Sequence, residues 1–427
     1  MNKKKVLATA LTVALSTSIF TVCPQAEEAA SEEPVTLTFG FWGDAPEAEM
    51  KMRLAEAYME EHPNVTIEYE YCSGADYLTK IQTWFSSGET PDVFGVANDH
   101  LIMFQDSELF EDLAPYVEKD GLESMWDYES AKETYTIENG RLTAVPFVTK
   151  TFAIAYNKDL FDQAGVEYPT KGWTEADMLA AAEKINALGD DIYGVTWGVR
   201  VPEFYRGLYG DMYYNYADKT MNVVDNESFK AAVTMFSDSI LNGIAPDETS
   251  GSISTGGFET GKFGMALCAC WDIATYQNSV GDSFAWDIVT LPVNEEFGSW
   301  KTTLRANGWS MSANAENKEA CWDFIKFLST TETAAVEGSA IGVPCLTSYV
   351  ESDDYMKNFG EGTEYNKQVF IDMLNETVPL YNLGAFAEVN DLAKADYEKI
   401  LAGQLTVDDM ISDLDMQGSS IFASYGE

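Results

Sequence analysis

Histidine is nearly absent: His62 and His100 are the only two in 427 residues. Zinc sites of the HExxH type, multi-histidine metal traps and most histidine-based triads therefore lack raw material. Basic residues are scarce as well, with 26 Lys and Arg against 70 Asp and Glu and a formal net charge of -44. A surface of that sign argues against nucleic acid or an anionic membrane face and points to a neutral or cationic partner. Cysteine is limited to six. Setting Cys23 aside leaves Cys72, Cys268, Cys270, Cys321 and Cys345, an odd set that cannot pair completely within one chain. Cys268 and Cys270 are too close in sequence for an easy bridge along a strand, and most of these thiols read as small buried hydrophobes. What is present in quantity is apolar: 46% hydrophobic and 13% aromatic residues, enough for a large core divided between two domains.

The amino terminus reads as an export signal over residues 1–23. Lys3, Lys4 and Lys5 precede the uncharged run Val6 to Val22, which is short for a membrane span. Cys23 ends that run as a lipidated cysteine would, although Val22 stands where such signals carry Gly, Ala or Ser. We read Cys23 as the lipid attachment point and residues 24–34 as a solvated tether.

Beyond the tether, apolar periodicity alternates between two values. Val35, Leu37, Phe39 and Phe41 follow a strand period; Met50, Leu54, Ala57 and Tyr58 form a helical stripe; Val65, Ile67, Tyr69 and Tyr71 return to the strand period. Tyr77, Ile81, Trp84 and Phe85 predict a second helix, and Asp92 to Ala97 a third strand that runs out at Asn98-Asp99-His100. This is the grammar of an open, mostly parallel α/β sheet, in which ligands sit beyond the carboxyl ends of strands. Trp42 to Asp44 and Asn98 to His100 occupy such ends. Further on, Phe152 to Tyr156, Phe263 to Cys270 and Trp286 to Leu291 predict strands. Thr174 with Asp177 predicts a capped helix stopped by Gly189, and the chain is helical from about Asn390 to Leu414.

Two motifs mislead. Gly256 to Lys262 fits GxxxxGK, but Phe263 replaces the Ser or Thr that would hold Mg²⁺. Asp413, Asp415 and Gly418 echo a calcium loop whose twelfth position is Ser424 instead of Glu. Neither metal nor cofactor is expected.

The chain resembles the extracellular solute-binding proteins of ATP-driven sugar importers, the group that includes maltodextrin binders. The carriers are Glu60-Glu61-His62-Pro63-Asn64-Val65, Ser86-Ser87-Gly88-Glu89-Thr90-Pro91-Asp92-Val93-Phe94, Ala144-Val145-Pro146-Phe147, Tyr156-Asn157-Lys158-Asp159-Leu160-Phe161, Phe258-Glu259-Thr260-Gly261-Lys262-Phe263-Gly264-Met265 and Trp322-Asp323-Phe324-Ile325-Lys326-Phe327-Leu328. The resemblance implies a periplasmic-binding-protein type II fold: two α/β domains, a hinge and a central ligand cleft. We place domain 1 at 35–148 plus 304–345 and domain 2 at 149–303 plus 346–427. It implies a non-catalytic, monomeric receptor on the outer face of the membrane, or in the periplasm if the envelope has an outer membrane. Such a receptor delivers a carbohydrate to the permease subunits of an ABC importer.

Position by position, the resemblance makes Asp44 and Asp99 sugar-bonding carboxylates and Trp271 a stacking plate. It fails at Lys150, where those binders have a glutamate, and at Asn390 and Lys394, where they have a tryptophan and an arginine. A pyranose has an apolar C–H face and a hydroxyl rim, which suits an aromatic plate flanked by acceptors. Trp42 with Asp44 and Trp271 with Asp272 are such pairs. Lys150, Trp197, Asn307, Trp309 and Tyr381 complete the candidate site. The glycine after Asn307 is expected to let backbone approach a ligand. Trp84, Trp173, Trp286 and Trp322 read as core. Two rival readings remain: a glycosidase using Asp44, Asp99 and Asp272, and a receptor for a peptide, polyamine or polyol phosphate, with Arg305 as the one arginine nominated for phosphate.

Overall fold

A computed structural model describes residues 33–43, 45–101, 104, 107–126, 134–136, 141–248, 257–357, 367–378 and 384–425. The export segment with Cys23, Asp44 and Tyr381 lie outside these residues, as does the side chain of Asp99.

Ten strands form two sheets: β1 (Val35–Trp42), β2 (Val65–Cys72), β3 (Val93–Ala97), β4 (Val145–Lys150), β5 (Phe152–Asn157), β6 (Tyr193–Thr196), β7 (Phe263–Ala269), β8 (Trp286–Val289), β9 (Arg305–Met311) and β10 (Val343–Pro344). The first sheet has the order β10-β4-β9-β3-β1-β2 and the second β8-β5-β7-β6. Only β2-β1-β3 and β6-β7 are parallel; β9 runs antiparallel to both β3 and β4, and β5 antiparallel to both β7 and β8. The sheets are thus mixed, not mostly parallel, because the chain passes into the second sheet after β4 and returns as β9 between β3 and β4.

The second sheet shows why its strands read as continuous apolar runs. Along β5, Phe152, Ile154 and Tyr156 enter one core while Ala153 and Ala155 enter another on the opposite face. β7 divides likewise, with Met265 and Leu267 on the first face and Ala266 and Cys268 on the second. A strand covered on both faces has no polar side to alternate with. The first sheet buries Leu37, Phe39 and Phe41 in a third core with helix α1 (Ala45–Glu61) and helix α2 (Gly74–Ser87).

Local signals behave as the sequence implies, with shifted ends. Ser73 caps α2, which stops at Gly88 in the left-handed region with φ 75°. Thr174 and Asp177 form a capping box on helix Glu175–Asn186, which ends before the exposed Leu188 instead of reaching Gly189. Asn98–Leu101 is a turn of helix, α3, where a loop was expected. The carboxyl-terminal region divides into helices Ala385–Leu401 and Val407–Asp413, separated at Gly403 (φ 69°). Leu414–Gly418 continues as a helical segment, so Asp413 and Asp415 shape no calcium loop. Cys268, Cys270, Cys321 and Cys345 are buried free thiols, and burial pushes each well above its ordinary pKa.

Candidate ligand-binding site

A cleft of about 350 Å³ lies where the two sheets exchange strands, lined by Trp42 and Gly43 after β1, Glu47 of α1, Gly74, Ala97, Asn98, Lys150, Trp271, Arg305 and Asn307. Trp42, Lys150, Trp271 and Asn307 were read from sequence as candidates and meet here.

Trp42 is fixed from beneath. The buried Lys51 donates to the Trp42 carbonyl at 2.6 Å, and its Nζ lies 4.2 Å from the Trp42 ring centroid. Gly95 keeps the far side open: a Cβ there would stand 2.9 Å from Trp42 Cζ3 and 3.2 Å from Trp309 Cζ3. Trp309 is 2% exposed and belongs to the first sheet's core. It supports the Trp42 platform instead of facing ligand, because it shares the β3 surface already covered by Trp42.

Trp271 is held by the turn after β7. Cys270 N donates to the Thr151 carbonyl at 3.1 Å, tying the turn to the β4-β5 crossing. Asp272 accepts from Ala269 N at 2.8 Å and from Arg200 Nη2 at 2.7 Å. The carboxylate expected to serve as an acceptor beside Trp271 is therefore engaged behind it, shaping the turn that projects the ring. Phe152 meets the Trp271 ring edge to face at 5.5 Å between centroids.

The polar groups of the cleft form a chain of charges. Glu47 Oε1 is 3.0 Å from Lys51 Nζ and 3.8 Å from Lys150 Nζ. Burial would raise the Glu47 carboxyl, but the two ammoniums outweigh it and hold it below the usual range. Burial pushes Lys51 down to about 8, against the raising influence of Glu47. Lys150 lies 5.3 Å and the Arg305 guanidinium 6.0 Å from the Trp271 ring centroid. Arg305 pairs with Glu203 through Nη2 at 2.9 Å, and Thr303 also donates to Glu203. Asn98 joins α3 to the start of β9, donating to the Leu304 carbonyl and accepting from Ala306 N.

Asn307 is 6% exposed, and its Nδ2 has no hydrogen-bond partner. The glycine beside it does not admit ligand. A Cβ on Gly308 would stand 2.7 Å from the Val145 carbonyl oxygen, so this glycine permits the close approach of β4 where the β9 register shifts.

Trp197, 1% exposed, lies in the second sheet's core with its Nε1 on Ser239 Oγ at 2.9 Å, far from the role of a ligand plate. Asn390 is buried against Tyr213 in that same core. Glu47 and Lys51 were missed: their four-residue spacing directly after Trp42-Gly43 read only as the first turns of a helix. Among the described residues no group of His, Cys, Asp and Glu could hold a metal ion, and no helix is long and apolar enough to cross a membrane.

Relatives from Brucella abortus and Brucella suis are 26% identical over 287 residues, which is 64% of this chain and 66%, just under two thirds, of theirs. A maltooligosaccharide ABC transporter solute-binding lipoprotein of Streptococcus pneumoniae is 22% identical over 82% of this chain and 81% of its own. Among solved structures, an ABC substrate-binding protein from Listeria monocytogenes in complex with cycloalternan superposes with a TM-score of 0.78 at 23% identity, covering 92% of this chain and 100% of that one. The fold is therefore the type II periplasmic-binding-protein fold. Residues 44–335 match the family described as bacterial extracellular solute-binding protein, and the chain belongs to that family.

Proposed function

We propose that the protein is a receptor that captures a mono- or oligosaccharide in the cleft between its sheets and delivers it to the permease of an ABC importer. The observation that carries this reading is the pair of tryptophans, Trp42 and Trp271, lining one cleft together with amide and charged groups. Flat apolar rings beside polar donors complement a sugar's C–H face and hydroxyl rim. The S. pneumoniae relative is named for maltooligosaccharide and the L. monocytogenes structure holds cycloalternan, both carbohydrates.

The receptor works without catalysis. Glycosidases need paired carboxylates, and Asp272, one of the three carboxylates that could form such a pair, is engaged behind Trp271 by Arg200 Nη2 and Ala269 N. The chain acts as a monomer, anchored through a lipid on Cys23 at the outer face of the membrane. Its halves, 35–148 with 304–345 and 149–303 with 346–427, close on ligand by bending at the crossings between sheets.

Titrating the protein with a panel of oligosaccharides while following tryptophan fluorescence tests this reading. We expect a saturable change with the sugar recovered intact. Cleavage products would replace the receptor with an enzyme, and no response to any sugar would remove carbohydrate as the ligand.

A further inference from the structure

We propose that Glu47 Oε2 and Lys150 Nζ act as acceptor and donor for two neighbouring hydroxyls of the bound sugar, which makes Glu47 a specificity-determining residue of the cleft. This rests on the carbohydrate reading above and narrows it to saccharides that present a free vicinal diol at the crossing between the sheets.

Lys51 and Lys150 approach the same oxygen of Glu47, but they are not equivalent. Lys51 is 1% exposed and donates at 2.6 Å to the Trp42 carbonyl and at 3.0 Å to Glu47 Oε1. It pins the carboxylate from within the fold. Lys150 Nζ lies 3.8 Å from Oε1, beyond hydrogen-bond distance, and has no hydrogen-bond partner among the described residues. Its side chain is 9% exposed and lines the cleft, so the ammonium has lost most of its water without gaining an acceptor. Leaving such a donor unpaired is costly, and a ligand oxygen that accepts from it removes the cost.

On Glu47 both ammoniums face Oε1, and Oε2 accepts no hydrogen bond among the described residues. Neither Oε2 nor Lys150 Nζ belongs to the buried atoms that lack a partner, so solvent reaches both. Against burial, which would raise it, the two ammoniums hold the Glu47 carboxyl below its ordinary range. An ionised acceptor makes a stronger hydrogen bond than a neutral one.

The pair selects for a group that is uncharged. An anionic group placed here meets the Glu47 carboxylate, and a cationic one meets the Lys150 ammonium. A hydroxyl carries both a donor and acceptor lone pairs, so adjacent hydroxyls serve the two side chains with no like-charge contact. Lys150 Nζ is also 5.3 Å from the Trp271 ring centroid, so a pyranose stacked on that ring brings its hydroxyl rim to the pair.

Maltotriose, cellotriose, mannotriose, xylotriose, glucose, galactose and mannose are titrated by calorimetry. Monodeoxy derivatives of the tightest binder are then compared on the natural protein, Glu47→Gln and Lys150→Met. On the natural protein, deoxygenation at each of two neighbouring positions is expected to cost roughly tenfold or more in affinity. Glu47→Gln should reduce one of those penalties to about threefold or less, and Lys150→Met the other. Variants that weaken every derivative alike and keep both penalties would show a role in folding or in supporting Trp42, and would overturn the assignment. Tighter binding of glucuronate than of glucose, or of galacturonate than of galactose, would also overturn it while keeping the carbohydrate receptor. Binding by none of these saccharides would bring down the carbohydrate reading itself, and this proposal with it.

Discussion

Lys150 at the end of β4 stands directly across from Arg305 at the start of β9, at the point where both strands leave the first sheet. Each cation is drawn to a different half of the molecule. Lys150 faces Glu47 of α1, beside the first sheet, whereas Arg305 binds Glu203 in the helix Val201–Phe204, which packs in the second sheet's core. The pair therefore sits at the crossing, with Lys150 facing Glu47 and Arg305 bound to Glu203.

Removing the Trp271 ring tests the plate. Trp271→Ala is expected to weaken binding of the best saccharide at least tenfold, since a stacked aromatic face contributes on the order of 1–3 kcal/mol. Calorimetry reads the change, and unchanged affinity would take Trp271 out of the site.

Gly95→Ala probes the support under Trp42. The added methyl would crowd both Trp42 and Trp309, and Trp309 is locked in the core, so Trp42 must move. Overpacking of this kind costs about 1–3 kcal/mol. We expect saccharide affinity to fall about as much as folding stability does. A variant that loses stability in urea but binds normally would show that the position of Trp42 is immaterial.

Lys51 makes stability depend on pH in a defined window. Its ammonium titrates at about 8 in the folded protein against an ordinary value of 10.5. Between those values the unfolded chain holds a proton that the folded chain has released, so stability rises with pH. The difference in urea stability between the natural protein and Lys51→Met should therefore climb from pH 8 toward pH 10.5. A flat difference would mean that Lys51 titrates normally. Glu47 acts at the other end: with its carboxyl held below the ordinary 4.5, its contribution is present above that pH and is lost as pH falls through the lowered value.

The Arg305–Glu203 tie should behave as a coupled pair. Arg305→Met takes the guanidinium partner from the Glu203 carboxylate and leaves it the Thr303 hydroxyl, at a cost of about 1.5–3 kcal/mol. Glu203→Gln in the same chain should restore much of that loss. Full additivity of the two substitutions in a double-mutant cycle would show that the 2.9 Å contact carries no coupling.

The elements themselves were legible because each depends on neighbours close in the chain. Val35 to Phe41 announces β1 by alternation, and Thr174 with Asp177 announces a capped helix across three residues. The tryptophans were harder. Trp271 and Trp42 at strand ends could be placed, but Trp197 and Trp309 read evenly as plate or core until the sheets were assembled around them. Asp272 likewise reads as an acceptor beside Trp271, and only its contact with Arg200, 72 residues away, shows that it shapes the turn.

By itself the sequence determined a two-sheet α/β chain with an acidic surface, too little histidine for histidine-based metal sites and tryptophans at strand ends, since backbone periodicity and composition act locally. The tertiary structure alone decided which rings face the cleft and which cations meet there. Glu47, Lys150, Trp271 and Arg305 come from elements spread over more than half the chain. Lys150 and Arg305 meet because β9 inserts between β3 and β4, a pairing that no local pattern encodes.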